Sequence, residues 1–332
     1  LLLNMNASAD DKQILGRLNS ELMEGLRLYW QSAGQILAHS AVKLAQPPPS
    51  YYSEHANFFS ILFLYSYYRQ GIASDRRVFY VAVNQCLRGM VTGCDNLLDN
   101  EYKMTLDTDL PSGGVKFRSI LDIMVSDRVL FKILLDFCTA QGKSLQTVIE
   151  GVTASLHALV ASGAQEASEE AGITGRIGPQ NVLDDIHHLK TGLLFKSPWA
   201  IPAIIENDDG LADCDVSTAL YKIGMGCQVM DDMVDLLADV RNQRHNYVAS
   251  LIEHGPDSEA RQLLHAGTSA EADFYARFPD VFKTVHQTAL DYLYSGLSGL
   301  YLPEHQFLLQ PAAAFITERI GVNRIAPAAP AR

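Results

Sequence analysis

Basic residues are scarce in this chain. Lysine and arginine total 26 against 38 aspartates and glutamates, for a formal net charge of −12. Nucleic acid and anionic membrane surfaces both call for a basic footprint, so neither is an expected partner. An anionic substrate would need a cation between itself and the protein. Charged residues make up 19% of the chain and hydrophobic ones 48%, which excludes a disordered chain. Cysteine is sparse too. Cys86, Cys94, Cys138, Cys214 and Cys227 are odd in number and never spaced C-x-x-C. That argues against a disulfide framework or a zinc knuckle and for a reducing, cytoplasmic setting. Long apolar runs are missing as well. The best candidate, 58–68, is short and interrupted by Ser60 and Ser66, so no integral membrane segment is expected. Leu1-Leu2-Leu3-Asn4 has no basic flank and no adequate apolar stretch after it, and it is not expected to be a signal peptide.

Strand-like alternation is nearly absent, and apolar residues recur every three or four positions. Helices are expected over 11–45, 55–70, 75–103, 117–140, 143–166, 181–206, 213–238, 244–253, 257–277, 279–297 and 304–320. Pro47-Pro48-Pro49 should stop the first of these. Loops are expected at 105–116 and 166–180, where glycine, proline and acids cluster. No linker divides the chain. The expectation is one all-α domain over 1–325, a bundle of about ten or more helices, with a Pro/Ala-rich disordered tail at 326–332.

Two acidic patterns carry the chemistry. Asp95 and Asp99 are i and i+4, so on a helix their carboxylates leave the same face. Asp231, Asp232, Asp235 and Asp239 lie within nine residues, separated by Val, Met, Leu and Ala. Acids on an apolar helix have raised pKa values unless a cation compensates them. Oxygen-only donors favour Mg2+, which keeps water and takes carboxylates together with substrate phosphates; zinc would want His or Cys in register. Between the patterns, Lys190-Thr191 sits in an apolar context and could bind phosphate oxygens. Asp184-Asp185-Ile186-His187-His188 has metal-like composition, but its adjacent pairs cannot all converge on one ion, and a solvated helix face is expected there.

Together these residues resemble the trans-isoprenyl diphosphate synthase (polyprenyl synthetase) family of the class I terpenoid synthases, over roughly residues 55–320. Asp95 and Asp99 match the first and last aspartates of that family's first motif. Lys190 and Thr191 match its K-T pair. Gln228 matches the glutamine before its second motif, with Cys227 where phenylalanine is usual. Asp231, Asp232 and Asp235 match the second motif itself. The resemblance implies the class I terpenoid synthase fold, a single-domain helical bundle with a central active-site cavity across which the two motifs face. It implies Asp95, Asp99, Asp231, Asp235 and Lys190 as catalytic residues. Metal ligands would be Asp95, Asp99, Asp231, Asp232 and Asp235, holding three Mg2+ ions with bound diphosphate. An allylic prenyl diphosphate would be the substrate, its diphosphate bound by Lys190, Thr191, Gln228, Arg241 and Arg244. A homodimer is compatible with the family.

The departures set the expected reaction. The family's basic G-K-R-x-R-P stretch falls near 45–55, where Gln46-Pro47-Pro48-Pro49-Ser50-Tyr51-Tyr52 has no basic residue. Its arginine pair after the first motif is Met104-Thr105, with only Lys103 beside it. Its G-K after the second motif is Arg244-His245, and the second aspartate of the first motif is Asn96. In chain elongation those basic groups hold a second diphosphate. The expectation is therefore a terpene synthase, a lyase that ionises one allylic diphosphate and lets the cation cyclise or lose a proton. The alternative is a trans-prenyltransferase condensing an allylic diphosphate with isopentenyl diphosphate. A further alternative is a non-catalytic partner subunit of a heteromeric synthase. Phe79, Tyr80, Phe195 and Trp199 are candidate aromatic faces for the cation. Loops 104–116 and 167–180 are candidate lids, and Met90-Val91 in place of a bulky aromatic suggests a substrate of about 15 carbons or more.

Overall fold

The computed structural model describes residues 9–99, 101–267 and 270–327. The Leu1–Asn4 start and residues 328–332 of the expected tail lie outside these. The described residues form helices and turns, with one isolated antiparallel bridge between Leu44 and Thr108. The chain divides into two compact units, Leu1–His157 with Pro198–Ala212, and Ala158–Ser197 with Asp213–Arg332.

Unit 1 holds α1 (Ala9–Leu37), α2 (Phe58–Arg69), α3 (Ser74–Leu98), α4 (Val115–Ala140) and the first part of α5 (Leu145–Glu169). The apolar row of α1, including Leu18, Leu22, Leu26 and Tyr29, is buried. A buried ion pair ties α1 to α3: the Arg77 guanidinium donates to both carboxylate oxygens of Glu21 and to the carbonyl of Ile72. With the ion pair so fully hydrogen-bonded, neither charge is left bare in the interior. The α3–α4 contact depends on glycine. A Cβ on Gly93 would come within 2.9 Å of the Ser119 carbonyl, and one on Gly89 would strike Ser126. The α1 helix stops at Leu37, well before the proline run. His39 adopts a left-handed φ of 64°, and the chain beyond it pairs with residues 107–109. Pairing with a distant segment competes there with helix continuation.

Unit 2 holds the end of α5, then α6 (Pro179–Asn181), a π-helical stretch (Val182–Gly192) and α7 (Leu193–Lys196). After α8 (Ala200–Ile205), which returns to unit 1, it continues with α9 (Asp215–Val234), α10 (Leu236–Arg241), α11 (Tyr247–His254), α12 (Ser258–Ala266) and α13 (Glu271–Arg277). It closes with α14 (Pro279–Leu300), α15 (Leu309–Ile320) and α16 (Val322–Ile325). Most of α9 is buried. It packs most extensively on α14, where a Cβ on Gly296 would lie 2.7 Å from the Ala219 carbonyl.

Four expected helices are broken; 304–320 begins as a 3-10 stretch at Pro303–Leu308 before α15. The 181–206 helix becomes α6, the π-helix, α7, a 3-10 turn at Ser197–Trp199 and α8. Pro198 lacks the amide a helix interior needs. The 213–238 helix is interrupted at Asp235 (φ −100°, ψ 10°), and the 257–277 helix at Gly267 (φ 83°). The expected loop at 166–180 starts later, because α5 runs to Glu169 and carries Glu166 as a helical residue.

Candidate functional site

The π-helix and α9 of unit 2 are joined like the sides of a ladder. Four residues nearly complete a turn in a π-helix, so His187 and Thr191 leave the same face. On α9, Gln228 and Asp232 are likewise i and i+4. His187 Nε2 donates to Asp232 Oδ2 at 2.9 Å, and the Thr191 hydroxyl donates to Gln228 Oε1. The Gln228 amide in turn donates to Asp232 Oδ1 at 3.1 Å and, at a long 3.5 Å, to Asp231 Oδ2. A third rung joins His188 Nδ1 and the Tyr221 hydroxyl at 3.0 Å.

The acids of α9 and α10 have three fates. Asp232 is buried and turned inward, and it also accepts from the Tyr247 amide. Burial pushes its carboxyl up, but His187, the Tyr247 amide and Gln228 outweigh that and hold it below its ordinary value. Asp231 is an exposed residue, yet dense protein around its carboxyl, then the Asp235 and Asp232 charges, push it up to about 7 against the pull of Lys190 and His187. Asp235 is exposed at the helix break. Asp239 is pushed up to about 7 by burial and then by Asp232, against the Asn246 amide that donates to it at 2.8 Å.

Lys190 leaves the π-helix toward α5. Its ammonium lies 2.7 Å from Glu166 Oε1, and the Ser162 hydroxyl donates to its carbonyl at 2.7 Å. Burial alone would lower its pKa; Glu166, then Asp232 and Asp239, more than offset this and hold it above the usual lysine range. Glu166 Oε2 also faces Arg244 Nη1 at 3.5 Å, and Arg176 donates to the Arg244 carbonyl at 3.3 Å. One glutamate thus gathers Lys190 and Arg244. Arg241, expected beside them, is exposed at the end of α10.

In unit 1, Asp95 and Asp99 are exposed on the last turn of α3 and its cap. Asn96 between them is buried and closes the following loop. Its Nδ2 donates to the Lys103 carbonyl at 3.0 Å, and its Oδ1 accepts from the Lys103 amide at 2.8 Å. An ionised aspartate could accept but not donate there. The two segments that lack basic residues meet in this unit. Ala45 and Asp109 donate to the carbonyls of Asp107 and Lys43, and the same segments line a cavity of about 190 Å³ with Trp30, Pro48, Ser50, Tyr51, Ala56, Gln85, Arg88, Met104 and Thr105.

No family model matches the sequence, and no relative is found among the curated proteins. Solved structures do match. The octaprenyl pyrophosphate synthase of Helicobacter pylori aligns with a TM-score of 0.61 and 14% identity, over 90% of this chain and 99% of that one. The geranylgeranyl pyrophosphate synthetase of Geoglobus acetivorans aligns at 0.57 and 15%, over 90% and 96%. A polyprenyl synthase of Caulobacter crescentus, complexed with calcium and isoprenyl diphosphate, aligns at 0.57 and 13%, over 96% and 100%. The chain has the fold of the isoprenyl diphosphate synthases.

Within that isoprenyl diphosphate synthase fold, several expected residues have other surroundings. The Asp184–His188 segment is no solvated face throughout. His187 is buried against Asp232 and His188 reaches Tyr221, although Asp184 and Asp185 are exposed. The missed signal was the matched spacing of His187 with Thr191 and of Gln228 with Asp232. Glu166 and Asn246 were also missed; Asn246 caps α11 while donating to the Asp232 carbonyl and to Asp239. Phe79, Tyr80 and Trp199 are committed to the core of unit 1. Phe79 stacks on Phe137 at 4.2 Å, Tyr80 donates to Glu206, and Trp199 donates to Ser66. Among the described residues, no three His, Cys, Asp or Glu side chains converge to hold an ion unaided. No helix among them is long and apolar enough to cross a membrane.

Proposed function

We propose that the chain ionises an allylic prenyl diphosphate with Mg2+ and passes the prenyl group to a second molecule. The observation that carries this is the unit 2 ladder, which knits Thr191, Gln228, Asp231 and Asp232 together beside Lys190, with Asp231 and Asp235 exposed. Asp231 and Asp235 of unit 2 would hold Mg2+; Asp95 and Asp99 are the candidate carboxylate donors of unit 1. The fit lies in the donor set: all oxygen, two exposed acids one turn apart, and an Asp231 charge that crowding disfavours and a divalent ion would relieve. When bound, the metal neutralises the charge that develops on the departing diphosphate. Lys190 adds a cation held in place by Glu166. Thr191 fixes the Gln228 amide, which fixes Asp231 and Asp232. Asp232, enclosed by donors, acts on this reading as a positioning residue rather than as the metal ligand that the family resemblance implies.

The octaprenyl, geranylgeranyl and polyprenyl synthases that share the fold are named for making prenyl diphosphates. That favours transfer over the cyclisation expected from the missing basic residues. Cyclisation is the second reading, supported by Met104-Thr105 and by a 45–55 segment without Lys or Arg. Product analysis with allylic diphosphates of about 10 to 20 carbons, with and without Mg2+ and isopentenyl diphosphate, separates them. Metal-dependent diphosphate release supports the shared step. A cyclic or deprotonated product without any second substrate favours the cyclase, and a longer diphosphate favours the prenyltransferase. No release from any substrate overturns both.

A homodimer fits the surface of unit 1. Phe117, Ile120, Met124 and Phe131 on α4, and Leu145, Ile149 and Leu156 on α5, are exposed. Large apolar side chains exposed along two helices are the kind of surface that a protein partner covers. Sedimentation of the chain and of Met124→Glu tests this; an unshifted monomer in both removes the homodimer.

A further inference from the structure

Lys190 and Arg244 are two of the residues that the family resemblance implies for a substrate diphosphate, and in unit 2 one carboxylate covers both. Glu166, in the last turn of α5, sets Oε1 2.7 Å from Lys190 Nζ and Oε2 3.5 Å from Arg244 Nη1. Among the described residues its carboxylate has no other partner. Glu169, one turn on, is held differently. It is 2% exposed and accepts from the His245 amide at 2.8 Å and from the Gln165 side chain at 2.8 Å, which fixes it in the interior. The Glu166 side chain is 24% exposed, so water can receive its carboxylate when it lets go.

Both cations keep an anchor without that carboxylate. The Ser162 hydroxyl donates to the Lys190 carbonyl at 2.7 Å and pins that turn of the π-helix. Arg244 Nη1 also donates to the Glu166 carbonyl at 3.4 Å, and Arg176 Nη1 donates to the Arg244 carbonyl at 3.3 Å. A carboxylate that covers two cations already anchored elsewhere is an anion seat filled from within. Its single charge is shared between them, whereas a diphosphate brings more charge and more acceptor oxygens to the same two donors. Part-exposed ion pairs are individually weak, so one anion can replace the other.

We propose that Glu166 is an internal stand-in for diphosphate: it holds Lys190 and Arg244 in the free protein, yields them to the substrate, and retakes them as the released diphosphate leaves. On the diphosphate chemistry proposed above, on which this inference rests, Glu166 is a competitor and not a catalytic residue. A ligand that must displace it binds more weakly, in proportion to the fraction of molecules in which the seat is free. The glutamate therefore lowers affinity for substrate and product alike and favours departure of the product.

Calorimetric titration of the full chain with inorganic diphosphate, in Mg2+, reads this without turnover. Glu166→Gln should bind roughly three- to tenfold more tightly than wild type, the scale of a part-exposed ion pair. Glu166→Asp keeps the net charge but is one methylene shorter and spans both cations poorly, so it should recover part of that gain. In steady-state release from an allylic diphosphate, Glu166→Gln should lower KM and deepen inhibition by added inorganic diphosphate, while kcat does not rise. A glutamate that only braced the two cations would show the opposite sign, with weaker binding and a higher KM on its removal. Should Glu166→Gln fail to fold, as thermal unfolding would show, Glu166→Ala carries the same expectation. Weaker or unchanged binding in the folded neutral variant would overturn the inference while metal-dependent diphosphate release by wild type stands. Wild-type affinity in Glu166→Asp beside a tighter Glu166→Gln would overturn it too, because general charge rather than contact would then be at work. Neither binding nor release by wild type would remove the diphosphate chemistry itself, and the role of Glu166 with it.

Discussion

At the end of α3, Asp95 and Asp99 stand in solvent around a buried Asn96 that serves only the loop seven residues on. At the end of α9, Asp231 and Asp235 are also open, but the buried Asp232 between them is held by His187, Gln228 and Tyr247 from three separate elements. Each unit keeps two exposed carboxylates one turn apart and turns the residue after the first of them inward. They differ in what the inward residue binds. In unit 1 it is a short-range backbone clasp, and an amide suits it because it must both donate and accept. In unit 2 it is the hub of a long-range network, and a carboxylate suits it because every partner is a donor.

The sharpest way to break this comparison is to remove an open carboxylate from each unit. Asp231→Asn and Asp95→Asn should each lower metal-dependent diphosphate release by roughly 10²–10³-fold, the scale of a lost electrostatic contact in a transition state. Steady-state kinetics measures it; full activity of Asp95→Asn would reduce the first motif to a solvated helix end. Next in size, Lys190→Ala should cost on the order of 10²-fold in turnover, with Arg241→Ala near wild type because Arg241 stands apart from the Glu166 clasp.

The inward residues come third. Asn96→Asp keeps the acceptor for the Lys103 amide but loses the donor to its carbonyl. Chemical denaturation should show a loss of about 1–3 kcal/mol; a neutral result would mean the clasp is dispensable. The smallest effect concerns pH. Burial pushes Asp122 in unit 1 up to about 6 and Asp239 in unit 2 up to about 7. A carboxyl whose folded pKa exceeds its unfolded value near 3.9 binds more protons when folded, so stability falls as pH rises between the two values. In metal-free protein, Asp122→Asn should flatten thermal stability between about pH 4 and 6, and Asp239→Asn between about pH 4 and 7. Equal slopes in wild type and variants would show that neither group titrates as its burial implies.

Much of this was legible in the chain itself. Period-3.6 patterning and the absence of alternation dictated an all-α protein, and the cores of α1, α3 and α9 follow it because burial of an apolar face needs no distant partner to be recognised. The loop 105–116 announced itself through Asp107, Pro111 and Gly114. Asp231, Lys190, Thr191 and Gln228 stood out as a spaced pattern, and the structure joins Thr191, Gln228 and Asp231 by hydrogen bonds. Tertiary structure decided the rest. It ended α1 at Leu37, because pairing of 43–45 with 107–109 satisfies backbone groups that a longer helix would have used. It made His187 a buried partner of Asp232 rather than a solvated side chain, because the π-helical register sets it opposite α9. It brought Glu166 to Lys190 and Arg244, and Arg88 into a cavity with Trp30 and Tyr51. Sequence spacing fixes which residues share a helix face, but which distant group meets that face depends on how helices pack, a long-range outcome that no local periodicity encodes.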